Sequence, residues 1–146
     1  MYDLYVFIIF IHVLSAVVSI GPLFVLFAVL KKMREADLVM EKAYIAIFRY
    51  VVRLIKHAGH VLVGSGILLV YLGPWSWNTP WIVATIGLMV LSIFFLARGF
   101  SGTLKKFSDP KVERLPLLST LNKATWIYIT ILVLMLALMV IKPTLW

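Results

Sequence analysis

Residues 4–30 read LYVFIIFIHVLSAVVSIGPLFVLFAVL, with no Asp, Glu, Lys or Arg among them. A helix crosses the hydrocarbon core of a bilayer with about 20 apolar residues, so this run is long enough to span it. Three more apolar runs of spanning length follow, at Val51–Leu72, Trp81–Phe100 and Leu117–Ile141. The chain has 146 residues, of which 63% are hydrophobic, and its mean hydropathy is +1.05. A soluble domain is nearer half apolar. The pattern predicts an all-α integral membrane protein, an antiparallel four-helix bundle that forms a single transmembrane domain over residues 1–146.

The net charge of +8 is distributed in a way that explains it. Lys31, Lys32, Arg34 and Lys42 fall between the first two spans, and Arg49, Arg53 and Lys56 enter the second. Arg98, Lys105, Lys106, Lys111, Arg114 and Lys123 fall at or between spans three and four, and only Lys142 lies at the opposite end. Cytoplasmic loops collect Lys and Arg. Both termini are therefore expected outside and both basic loops in the cytoplasm. The charge reads as a topology signal facing the lipid bilayer, and no nucleic-acid surface is expected.

The chain contains no cysteine. Disulfides, thiolate metal sites, iron–sulfur clusters and covalent haem attachment are thereby excluded. The opening MYDLYVF carries Asp3 instead of a basic n-region, and the run behind it is too long for a signal peptide; it reads as a retained span. Pro22, in mid-span, removes a backbone donor and should kink the first helix. The segment KKMREADLVMEKA should continue helically into span two, because Tyr44, Ile47 and Phe48 keep a helical apolar spacing. Trp75, Trp77 and Trp81 lie in the uncharged outer connection and read as an interfacial anchor.

All three histidines lie within spans. His12 shares a helical face with Ser15 and Ser19, at i, i+3 and i+7. Arg49, Arg53, Lys56 and His60 form another face at i, i+4, i+7 and i+11, with His57 beside it. Ionisable groups inside a membrane segment are costly and mark ligand or ion sites. Counting along the helices puts His12 about 13 Å and His60 about 18 Å from the outer boundary. On consecutive antiparallel helices, these depths suit a metal held between the two. His57 is deeper by about one turn, where it would meet a propionate, serve as a secondary ligand or face water. Lys56 and Arg53 lie about 6 and 10 Å further toward the cytoplasm, where they would pair with acidic tails or snorkel to headgroups. Haem b, held non-covalently with His12 and His60 as axial ligands, is the leading expectation; such iron needs only two protein ligands. Another metal, or hydrogen bonding across helices without a cofactor, remains open. Gly59, Gly64 and Gly66 around His60 would allow either close helix packing or room for a flat ring.

FIHVLSAVVSIGPLF, from residue 10, resembles the first helix of small membrane proteins of the HemJ-type protoporphyrinogen oxidase and CopD-type copper-resistance group. LNKATWIYITILVLMLALMVIKP resembles the HemJ-type last helix, with Asn122 near its start and Lys142-Pro143 at its end. The resemblance implies a four-helix scaffold, oxidoreductase chemistry and His12 as a haem histidine. HemJ-type proteins also carry a lysine shortly after a tryptophan early in helix three; here Trp81 is followed by Ile82, Val83, Ala84 and Thr85. No methionine or histidine cluster of the kind that captures copper lies at the outer end. The expected function is redox or tetrapyrrole handling, with haem or another tetrapyrrole as ligand and a homo-dimer or a membrane redox protein as partner. The alternatives are a cofactor-free packing or assembly partner and a copper-handling protein.

Overall fold

A computed structural model describes residues 1–146. It contains no strand and four long helices: α1, Tyr2–Met33; α2, Leu38–Leu72; α3, Pro80–Lys106; and α4, Arg114–Ile141. Each is long and apolar enough to cross a membrane.

The ends of the helices follow local chemistry. Asp37 starts α2 well before Val51, because its carboxylate accepts the Met40 N–H at 2.8 Å and satisfies a donor with no partner inside the helix. α1 continues through Pro22 without interruption. α3 runs past Phe100, through a π-helical stretch at Leu96–Gly102, and on to Lys106. The turn at Asp109-Pro110 follows, where the Asp109 carboxylate accepts the Lys111 N–H. α4 ends at Lys142, which takes a left-handed conformation with φ of 49°.

α1 packs along α2 and against α4, and α4 also carries α3. The bundle is tightest at its basic end, where Leu23, Leu26, Met33, Phe48, Ile55, Phe100 and Leu121 are fully buried. There α2 meets α3: the Phe48 and Phe100 rings are 5.9 Å apart, and Arg49 donates to the Leu104 carbonyl at 3.3 Å. There too the buried Glu41 of α2 pairs with Arg114 at the start of α4. At the other end, Lys142 lies 4.6 Å from the Trp75 ring centroid and 5.8 Å from that of Trp81. The aromatic anchor therefore holds the only Lys or Arg side chain at that end, through the attraction between a cation and a ring face.

Elsewhere the bundle presents apolar side chains such as Phe7, Phe10, Val17 and Phe24 outward. Lipid tails are as apolar as leucine, so such a surface is at rest in a bilayer, and the helices associate through close packing and hydrogen bonds. The orientation given by the charges is tested with reporter fusions: those at Met1 and Trp146 should behave as extracytoplasmic and one at Asp109 as cytoplasmic. A cytoplasmic C-terminus would invert the topology.

Candidate functional site

The three histidines fall into two separate settings. His12, half-buried on α1, places Nδ1 3.0 Å from the hydroxyl of Ser65 on α2. Ser65 Oγ also lies 2.7 Å from the Val61 carbonyl and 3.1 Å from that of Leu62. The single hydroxyl proton goes to those carbonyls, so Ser65 accepts and His12 donates from Nδ1. In the neutral imidazole Nε2 then keeps the lone pair. Ser15 and Ser19, on the same face of α1, turn back to their own helix, donating to the carbonyls of His12 and Ser15.

The His12 ring seats on Gly66. A Cβ at that position would lie 3.1 Å from the ring's Cε1, tight enough to force one group to move. Gly66 is thus a close-approach glycine. Gly66→Leu should cost about 1–3 kcal/mol through overpacking, read as a lower unfolding midpoint, and His12→Ala in the same chain should restore much of it. A neutral Gly66→Leu would show that the ring does not sit there.

His60 lies five residues from Ser65, about 7.5 Å along the helix and roughly 140° around it. It is exposed, as are His57, Lys56 and Arg53. The structure gathers these four side chains on one outward row of α2, with the His57 and His60 rings 6.5 Å apart. Beside them, a Cβ on Gly59 or Gly64 would meet nothing within 4 Å. The three glycines of this region therefore divide: Gly66 serves packing, and the other two border open space. Arg49 leaves the row and bonds to α3.

His12 and His60 are thus not brought together in one chain. A ring clamped between them does not fit, because Ser65 and Gly66 fill the α2 side of His12 while His60 leaves α2 on the opposite side. The outward row offers an imidazole with no hydrogen-bond partner, open space at Gly59 and Gly64 beside it and two cations toward the basic end, the donor types that a haem iron and its propionates would need. No group of three or more His, Cys, Asp or Glu side chains is placed to hold a bare metal ion.

Ser65 was not among the residues singled out in the sequence, although depth pointed to it. It lies seven residues before Leu72, about 10 Å from the outer boundary. That matches the depth of His12 better than His60 does.

Four apolar helices packed on one another, with histidines inside two of the spans, define a multi-pass α-helical membrane protein. The chain belongs to the DUF2269 family, described as a predicted integral membrane protein, whose family model matches residues 6–98. The matched region holds all three histidines and ends within α3. No curated protein and no solved structure matches the chain.

Proposed function

We propose that this protein binds haem b non-covalently in a bacterial plasma membrane, on the outward row of α2, in a redox or tetrapyrrole-handling role. The observation that carries the reading is His60: an imidazole within a membrane span, with no hydrogen-bond partner from its own chain and open space at Gly59 and Gly64 beside it. A polar group at that depth is costly unless something covers it. In this reading the His60 imidazole would hold the haem iron, and Lys56 and Arg53 would pair with the propionates, for which a guanidinium fork is well shaped. His57 is a neighbouring imidazole that tunes the site without ligating. Bound haem would supply one-electron chemistry.

The likeness of the first helix to HemJ-type and CopD-type proteins, and of the last to the HemJ type, supports a tetrapyrrole or metal ligand. The absent lysine after Trp81 counts against protoporphyrinogen oxidation, and the outer end has no ligand cluster for copper. One chain would hold the haem through the His60 imidazole alone, and a second copy, a membrane redox partner or an exogenous ligand would complete the site.

Titrating hemin into detergent-purified apo-protein tests the proposal. A saturable Soret band at one hemin per chain, or one per two chains, is expected. Protein that takes up no hemin ends the reading. The His12–Ser65 bond favours a second one, in which the histidines serve packing alone.

A further inference from the structure

The basic end of α1 and the first turns of α4 enclose a groove of about 220 Å³, lined by Phe27, Leu30, Lys31, Arg34, Leu118 and Asn122. It is remote in sequence from the histidines and owes nothing to them. Phe27, Leu30, Lys31 and Arg34 recur at i, i+3, i+4 and i+7, one face of a helix, while Leu118 and Asn122 face them from α4 at i and i+4. Phe27 to Arg34 covers about 10 Å along the axis.

Chemistry changes along that length. At the deeper end the Phe27 ring lies 4.7 Å from that of Trp126, and Leu30 and Leu118 are buried behind it. At the mouth, Lys31 is the first charged residue after the apolar run 4–30, with Arg34 beyond it; both are exposed. Neither forms an ion pair. The nearest acidic residues in sequence do not neutralise them: Glu35 pairs with nothing, and the Asp37 carboxylate caps α2. Asn122 adds a side-chain amide between the two levels, able to donate or accept.

Two unpaired cations at headgroup depth above an apolar wall match an anionic phospholipid: phosphate at the mouth, acyl chain against Phe27 and Trp126. Basic pockets between helices at a membrane boundary select such headgroups. A free phosphate ion would leave the aromatic wall unused, and a zwitterionic lipid would leave the cations uncompensated. We infer that the α1–α4 groove is a binding site for an anionic phospholipid of the leaflet at the basic end, with Lys31 and Arg34 holding its phosphate.

Thermal unfolding of the purified full chain in a neutral detergent tests this. Phosphatidylglycerol should raise the midpoint by several degrees, as a ligand of the folded state does, whereas phosphatidylcholine and inorganic phosphate should not. Lys31→Gln/Arg34→Gln should lose the shift. Lys105→Gln/Lys106→Gln, which removes equal charge from another exposed stretch, should keep it. An equal loss in both double variants would reduce the effect to overall charge and overturn the site. A shift with phosphate alone would make it an anion site rather than a lipid site. If the first double variant does not fold, Asn122→Phe decides, because it blocks the groove without changing charge; a full phosphatidylglycerol shift there overturns the proposal. Native mass spectrometry of the wild type should show phosphatidylglycerol retained in preference to phosphatidylcholine, and equal retention overturns it as well.

Discussion

Replacing His60 by alanine is expected to weaken hemin binding by more than about 100-fold, because changes one shell further out already cost 10- to 100-fold at metal sites. His12→Ala should keep most of the binding and instead loosen the seam between α1 and α2. The contrast follows from where each ring is engaged. His12 gives Nδ1–H to Ser65 and lies against Gly66, a hydrogen bond worth about 1 kcal/mol between membrane helices. His60 has no such engagement and stands exposed in a row with Lys56 and Arg53. His57→Ala should bind nearly as the wild type does. Arg53→Gln together with Lys56→Gln should weaken binding by about tenfold, the scale of one charge-assisted hydrogen bond, while the absorption spectrum keeps its shape. The pattern to watch for is the reverse one: an empty site in His12→Ala and a full one in His60→Ala. That result would return the ligand to the first helix, as the family resemblance implies, and remove the α2 row from consideration.

Phe100→Ala should produce the largest loss of stability among single core changes. Phe100 is fully buried and sits among three other rings: Phe48 at 5.9 Å, Tyr128 at 5.6 Å and Phe95 at 6.4 Å between centroids. It thereby joins α2, α3 and α4 at the end where the bundle is closed. Truncating a buried Phe in a soluble core costs about 3–5 kcal/mol, part of it transfer from water and part the cavity left behind. In a membrane the displaced surface meets lipid instead of water, so the transfer part shrinks and the cavity part remains. A loss of about 2–3 kcal/mol is therefore expected, at or below the lower limit of the soluble range. Titration with a denaturing detergent reads it as a lower midpoint. Phe48→Ala and Phe100→Ala should combine less than additively, because the two rings share one contact. Full additivity, or an unchanged midpoint for Phe100→Ala, would mean that α2 and α3 are not held together at this point.

The four spans were legible because a bilayer imposes a simple constraint. Apolar length reports crossing, and the Lys and Arg positions report sidedness, neither of which depends on partners. Local chemistry carried some boundaries as well: Tyr44, Ile47 and Phe48 already extended the second helix ahead of Val51. The π-helical stretch at Leu96–Gly102 was not legible. Its seven residues look like ordinary helix, and the stretch coincides with Phe95 and Phe100 reaching Phe48 and Tyr128 on other helices.

The histidines divide along the same line. Their number, their place within spans and their depth follow from counting residues, since each adds a fixed rise along the axis. Depth alone made His12 and His60 look like partners. Which way a side chain points around the axis depends on how the helix is rotated against its neighbours. That rotation is set by packing: Leu62 and Ser65 turn toward α1, Gly66 receives the His12 ring, and His60 is carried to the opposite side. The sequence by itself determined the helices, the topology signal and the depth of each ionisable group. Only the tertiary structure decided which of those groups meet, because azimuth is a property of the packed bundle and not of any one helix.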